Sequence, residues 1–139
     1  MQIGCSRSGT FFSFERADIV PDIVCMSKSI GGYGIPFAVT LFKRDLDVFN
    51  PGEHNGTFRG CQLSMVAGLA ALEMTVEQDI PAQVKAKEKI VKEYLEKEVK
   101  PLLKDEMEIR GIGLTWGIEF NDGKLARAVL DRCFEKKLI

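Results

Sequence analysis

The sequence predicts an α/β fold, and three observations along the chain support it. Two short apolar stretches, Asp22–Met26 and Phe37–Phe42, flank a glycine-rich segment and are typical of two strands joined by a loop. Residues 62–77 and 81–104 then carry apolar side chains at helical spacing. Residues 108–137 finally combine a glycine turn, an alternating strand pattern and a second amphipathic helix. The chain therefore combines strands and helices.

The first strand is predicted to be buried, because it is a continuous apolar run bounded by Pro21 and Ser27. Gly31, Gly32 and Gly34 interrupt regular structure after it. A polar segment with the turn signals Pro51-Gly52 and Asn55-Gly56 follows the second strand.

The helical segments are predicted to pack through apolar stripes. Residues 62–77 place Met65, Leu69, Leu72 and Val76 at spacings of three or four, which favours core packing. Pro81 ends this helix or lies in the first turn of the next one. The second helix continues to about residue 104, with interleaved lysines and glutamates that indicate a solvated face.

The last part of the chain is predicted to contain one strand and one helix. Leu114, Trp116, Ile118 and Phe120 alternate with polar or small residues, which indicates a strand. Residues 121–123 form a turn, and residues 124–137 form the helix.

Composition places the chain among ordinary globular proteins. Its 139 residues include 45% hydrophobic and 28% charged residues, enough for one core, and the net charge is −1. This charge does not suggest binding to nucleic acid or to an anionic membrane. No apolar run approaches the roughly 20 residues that span a bilayer, and the first residues lack the apolar core of a signal peptide. We therefore expect a cytoplasmic protein.

The cysteines and the histidine do not suggest a metal site. The four cysteines, Cys5, Cys25, Cys61 and Cys133, have no CxxC spacing, so we expect reduced thiols. His54 is the only histidine. A zinc site usually needs several such ligands, so we expect no metal.

Lys28 lies just after the first predicted strand, where an ammonium group is costly to desolvate. Burial lowers the pKa of a lysine from about 10.4 and makes its amine a nucleophile that can form a Schiff base with an aldehyde. The alternative is that Lys28 extends from the strand end into water. The pattern alone favours this alternative.

Three ordered motifs resemble the class III (ω-amino acid) aminotransferases, which use pyridoxal 5′-phosphate on the fold-type I scaffold. SKSIGGYGIP resembles the cofactor-lysine segment of that family, QIGCSRSG resembles its Q-x-G-x-G-R-x-G run, and GEHNGTFRG resembles its threonine-containing phosphate segment. The string EHNGTFRG is similar to that of the diaminobutyrate–2-oxoglutarate branch, which serves ectoine biosynthesis.

The resemblance implies roles for three residues. Lys28 would form the Schiff base with the cofactor and then shuttle a proton between substrate and cofactor. Gln2 would lie near the phenolic oxygen of the cofactor. Thr57 would reach the cofactor phosphate of a neighbouring subunit, which implies a homodimer or a higher homo-oligomer. A helix cap remains the alternative for Thr57.

Two positions near Thr57 depart from the commoner family string. Arg59 and Cys61 stand where that string has glycine and asparagine. Arg59 agrees with the diaminobutyrate branch.

The resemblance also implies that the chain is a truncated part of the family pattern. Residues 1–79 would be part of the large cofactor-binding domain, and residues 80–139 would begin the small α+β domain. The aspartate that pairs with the pyridine nitrogen would precede Met1, and the arginine for the substrate carboxylate would follow Ile139. We therefore expect open hydrophobic edges and no activity of the chain alone.

The implied reaction exchanges amino groups between amino acid and oxo acid substrates. In the parent enzyme, glutamate and aspartate semialdehyde would give 2-oxoglutarate and 2,4-diaminobutyrate. An ornithine, acetylornithine or 4-aminobutyrate aminotransferase is the alternative within the family. A non-catalytic remnant that acts only by association is the alternative outside it.

Overall fold

The computed structural model describes residues 3–32, 34–103 and 107–139. Its strands and helices, in chain order, are β1 (Ile23–Ser27), β2 (Ala38–Phe42), α1 (Gln62–Glu77), α2 (Ile80–Tyr94), α3 (Lys100–Leu103), β3 (Met107–Ile112), β4 (Thr115–Phe120) and α4 (Gly123–Glu135). Short 3₁₀ turns occur at Ser13–Ala17, Lys28–Gly31 and Arg44–Leu46, and a π-helical turn at Leu95–Val99 follows α2. Among the described residues, no helix is long and apolar enough to cross a bilayer.

The chain divides into two compact units, Met1–Lys85 and Ala86–Ile139, and the division falls inside α2. The domain boundary between residues 79 and 80 stays a prediction. Pro81 is the second residue of α2, as the sequence predicted.

In the first unit, β1 and β2 form an antiparallel pair in which Ile23 lies opposite Phe42 and Ser27 opposite Ala38. The predicted strand–loop–strand arrangement is confirmed. The prediction that the first strand is buried is wrong, since no residue of β1 is buried and Ile23 is 57% exposed. The reason is that the sheet has two strands only, so the chain itself leaves much of their surface uncovered.

Helix α1 packs against the loop between β1 and β2 through small residues. Ser64 and Gly68 are the buried residues of α1. The Ser64 hydroxyl donates to the carbonyl of Pro36 at 2.8 Å, and Ile30 is 4% exposed. Because these small side chains permit a close approach, the helix and the loop form one packed layer.

The prediction that the apolar stripe of α1 packs in a core is wrong. Its apolar members are all exposed, from 38% at Leu72 to 80% at Val76. Helix α1 carries apolar residues around most of its circumference, which is typical of a helix that is buried on all sides. The described chain covers only the face with Ser64 and Gly68. The predicted open hydrophobic surface is therefore confirmed.

The second unit contains an antiparallel hairpin, β3–β4, in which Met107 lies opposite Phe120. The sequence analysis predicted only the second of these strands. The Trp116 ring lies over Gly111, where an added Cβ would come within 2.3 Å of the ring. The Trp116 Nε1–H donates to the carbonyl of Gly113 at 2.9 Å.

Helix α4 follows β4 after a short turn and packs against it. The Asp122 carboxylate accepts a hydrogen bond from the backbone N–H of Lys124 at 2.9 Å and so caps the helix. The predicted turn and final helix are confirmed.

Replacing Gly68 by alanine tests the close approach of α1. A Cβ at this position would lie 2.8 Å from Phe37 Cε1 and 3.0 Å from the carbonyl oxygen of Ile30. We expect the free energy of unfolding in urea to fall by about 1–2 kcal/mol, because overpacking outweighs the gain in helix propensity. Gly123→Ala is the matched control, since nothing lies within 4 Å of a Cβ there. Unchanged stability of Gly68→Ala would contradict this packing.

The ion pair between Asp22 and Lys43 predicts a pH dependence of the first hairpin. Lys43 Nζ lies 2.5 Å from Asp22 Oδ1, and this hydrogen bond lowers the pKa of the Asp22 carboxyl below 3.8. The folded pKa lies below the unfolded one, so the stabilising pair is present above about pH 3.8 and is lost as pH falls through the lower folded pKa. An NMR titration of the Asp22 carboxyl should show the lowered pKa, and Lys43→Met should restore the ordinary value. Equal pKa values in both proteins would exclude the pair.

Candidate active site

Lys28 directly follows β1 and begins the 3₁₀ turn Lys28–Gly31. Its φ is 61°, in the left-handed region that side-chain-bearing residues rarely adopt. Such strained residues persist only where surrounding structure holds them, and they cluster at functional sites. Here the following residues Ile30 and Gly31 are buried against α1, so the turn is held by packing.

Two glycines in the loop after Lys28 have positive φ angles, which glycine adopts without strain. Gly32 has φ of 69°, and a Cβ there would lie 3.2 Å from the carbonyl oxygen of Ala67 in α1. Gly34 has φ of 93°, and nothing lies within 4 Å of an added Cβ. The loop is therefore closely packed on its α1 side and open at Gly34.

Lys28 is exposed and not buried. The residue is accessible to a ligand from solvent. This placement agrees with the alternative in which the lysine extends into water.

The loop that precedes β1 is also strained. Cys5 and Ser6 have φ of 52° and 74°, and Gly9 has φ of 84°. Ser6 is 1% exposed, and among the residues that the structure describes its hydroxyl has no hydrogen-bond partner. The neighbouring Ser8 hydroxyl, in contrast, donates to Ser13 Oγ at 3.1 Å. Gln2, predicted to lie near the cofactor, is outside the described residues.

Thr57 lies in an exposed turn that precedes α1. Helix α1 begins at Gln62 with Cys61 as its N-cap residue, so Thr57 caps no helix and that alternative is wrong. The backbone N–H of Arg59 donates to the carbonyl of Gly56 at 3.0 Å and closes the turn.

A cavity of about 730 Å³ lies beside this turn. Its lining includes the side chains of Thr40, Phe49, His54 and Arg59. The rings of Phe49 and His54 lie 5.3 Å apart. Lys28 and Thr57 share no hydrogen bond within the part of the chain that the structure describes.

The cysteines are free thiols, as predicted. Burial raises the pKa of Cys5, so its thiol remains protonated near neutral pH. Among the described residues, no cluster of three or more histidine, cysteine or acidic side chains could hold a metal ion.

Residues 1–138 match the protein-family model described as Aminotransferase class-III. The chain belongs to this family. The predicted family and the α/β fold class are confirmed, since the solved structures similar to the chain are also aminotransferases.

Two similar curated members of the family bear the same name. The diaminobutyrate–2-oxoglutarate transaminase of Sporosarcina pasteurii is 48% identical, and that of Streptomyces coelicolor is 47% identical. In both cases the match covers 100% of this chain and 33% of the relative. The chain thus spans about a third of the length of these class III relatives.

Solved class III structures are similar over most of the chain. The acetylornithine aminotransferase of Elizabethkingia anophelis has a TM-score of 0.83 and 26% identity, over 96% of this chain and 33% of that chain. The taurine:2-oxoglutarate aminotransferase of Bifidobacterium kashiwanohense, solved in complex with PLP and glutamate, has a TM-score of 0.74 and 31% identity. It matches 86% of this chain and 27% of its own.

Sequence reasoning missed two features of this site. The strained, buried Ser6 could have been found, because it stands where the Q-x-G-x-G-R-x-G run has its second glycine. The contact of the Arg59 side chain with the carbonyl of His54 had no sequence signal, since it joins an unpatterned side chain to a backbone atom.

Replacing Ser6 by glycine should stabilise the chain. Glycine relieves a left-handed strain of roughly 1–2 kcal/mol and removes an unpaired buried hydroxyl, against an entropic cost of about 0.5–1 kcal/mol. We expect the free energy of unfolding to rise by about 1 kcal/mol. Ser8→Gly is the matched control and should destabilise, because it removes the bond to Ser13. A loss of stability in both variants would show that Ser6 is not strained.

Proposed function

We propose that this chain supplies the cofactor lysine, Lys28, of a pyridoxal 5′-phosphate-dependent transamination. The observation that carries the proposal is the left-handed backbone of Lys28, which presents an exposed amine at a strand end within a packed turn. Residues that carry a side chain rarely adopt this conformation, and those that do cluster at functional sites.

The residues present fit the cofactor in their chemistry. A primary amine is the group that bonds to an aldehyde, and the open space at Gly34 leaves room beside the lysine turn. Thr57 offers a hydroxyl in an exposed turn for a phosphate group. Gln2 is proposed to lie near the phenolic oxygen.

When bound, pyridoxal 5′-phosphate supplies an electron sink for a substrate carbanion. Lys28 Nζ would hold the cofactor through its aldehyde and, as a free amine, would carry the proton to and from the substrate Cα. The Thr57 hydroxyl would donate to the phosphate. Because an anionic phosphate accepts strong hydrogen bonds, this contact would fix the position of the cofactor relative to Lys28.

For the substrates we propose glutamate and aspartate semialdehyde, giving 2-oxoglutarate and 2,4-diaminobutyrate. The names of the relatives at 48% and 47% identity support this choice. Ornithine, acetylornithine or 4-aminobutyrate are the alternative substrates, and the acetylornithine enzyme at 26% identity supports them less strongly.

We also propose that the chain works in a cytoplasmic homodimer or higher homo-oligomer, with Thr57 directed to the cofactor of a neighbouring subunit. The exposed apolar face of α1 supports an associated state. The same observation favours a second candidate, in which the chain is a non-catalytic remnant that acts only by association.

Covalent labelling of the whole 139-residue chain tests the role of Lys28. The chain is treated with pyridoxal 5′-phosphate, reduced with borohydride, digested and analysed by mass spectrometry. We expect weak binding with labelling of Lys28 at lower cofactor concentration than the other exposed lysines, and its loss in Lys28→Arg. Lys89→Arg is the matched control. Labelling that follows side-chain exposure alone would contradict the proposal.

Turnover distinguishes the two candidate functions. The chain alone should consume no glutamate above the rate of free cofactor with aspartate semialdehyde. In a longer protein that contains this segment, Lys28→Ala should lower turnover by at least about 10²-fold, the contribution of a positioned acid–base group. Unchanged turnover in that variant would exclude Lys28 as the proton carrier.

A further inference from the structure

The segment from Asn50 to Gly60, here called the Thr57 loop, is organised by its own polar contacts. The backbone N–H of Asn50 donates to Glu53 Oε2 at 2.8 Å, and the side-chain amide of Asn50 donates to Glu53 Oε1 at 3.2 Å. These hydrogen bonds lower the pKa of the Glu53 carboxyl. Asn55 Nδ2 donates to the carbonyl of Gly52 at 2.7 Å. All these residues are exposed, so hydrogen bonds and not apolar packing give the loop its shape.

Arg59 closes the part of this loop that contains Thr57. Its Nη1 donates to the carbonyl of His54, and its backbone N–H donates to the carbonyl of Gly56. The side-chain bond encloses residues 55–58, and the backbone bond encloses residues 57 and 58. Thr57 therefore lies inside a ring that the Arg59 side chain completes.

The remaining donors of Arg59 are not used by an acidic group. Within the described part of the chain, the Arg59 guanidinium forms no ion pair, although Asp47 lines the same cavity. A guanidinium has five N–H donors in a rigid plane, so one bond to a carbonyl still orients the whole group. Its structural contact is thus with the loop backbone.

We propose that Arg59 is a positioning residue, which fixes the turn so that the Thr57 hydroxyl and backbone N–H are preorganised for a phosphate group. This inference rests on the proposed function, in which Thr57 binds the cofactor phosphate. A glycine at position 59, as in the commoner family string, cannot form this contact. Preorganisation increases affinity because the loop loses less conformational freedom when the ligand binds.

The experiment compares three variants of the whole chain by NMR. Arg59→Ala removes the contact, Arg59→Lys restores one donor of similar reach, and Arg44→Ala removes the same charge outside the loop. The amide ¹⁵N relaxation of residues 56–60 reports loop order. Titration with inorganic phosphate at constant ionic strength, followed at the Thr57 amide, reports affinity.

We expect Arg59→Ala to increase the mobility of residues 56–60 and to raise the phosphate dissociation constant roughly three- to tenfold. Arg59→Lys should recover part of both effects, and Arg44→Ala should leave loop order unchanged. Thr57→Ala should weaken phosphate binding without loosening the loop.

Several results would overturn the proposal. Weaker phosphate binding in Arg59→Ala with unchanged loop order would make Arg59 a direct phosphate ligand. A mobile loop with unchanged affinity, or no change in either measurement, would remove the positioning role. Absence of any phosphate-dependent shift at Thr57 in the unmodified chain would also overturn it. Labelling of Lys28 is measured in the chain with Arg59 unchanged, so it shows separately whether the proposed function fails.

Discussion

The close approach of α1 to the loop after β1 is the constraint on which the first unit depends. Gly68 lets the helix reach Phe37 and the Ile30 carbonyl, and Ser64 bonds to Pro36 across the same contact. The turn that begins at Lys28 is continuous with this packed layer. A shift of the lysine turn would therefore break packing and a buried hydrogen bond together, which is why a strained backbone can persist there.

Hydrogen bonds, and not apolar packing, hold the Thr57 loop in its shape. Its contacts are exposed hydrogen bonds within one short segment, whereas the lysine turn is held by burial against a helix. Exposed polar contacts compete with water and contribute little free energy each. The two parts of the candidate site consequently differ in rigidity, and a partner surface against the loop would change its order more than that of the lysine turn.

Local patterns were sufficient to predict much of the fold. The strand–loop–strand segment, α1 and α4 follow from apolar spacing and from turn residues such as Asp122 and Gly123, because these signals act within a few positions. Strand β3 was missed, although Met107 and Ile109 alternate with charged residues and carry a recognisable period of two. Gly111 within the strand favoured a glycine turn and concealed the pattern.

Burial could not be predicted in the same way. The apolar stripe of α1 indicates a surface that needs cover, but spacing does not say whether the cover belongs to this chain. The position of Lys28 and Thr57 on loops followed from their glycine neighbours. The exposure of Lys28 agrees with the alternative that the pattern favoured. The side-chain contact of Arg59 depends on three-dimensional packing that no short-range pattern encodes. The roles of Lys28, Thr57 and Gln2 stay predictions.

The pairing of strands that are neighbours along the chain affects the order in which the fold assembles. Each strand pairs with its nearest neighbour along the chain, β1 with β2 and β3 with β4, so few contacts must wait for distant residues. Pairing of near neighbours closes short loops and is fast compared with the pairing of remote strands. During synthesis both hairpins can form as soon as their residues emerge, before any later segment could cover the apolar face of α1. The interval in which that face stands uncovered is then the time of greatest vulnerability to aggregation.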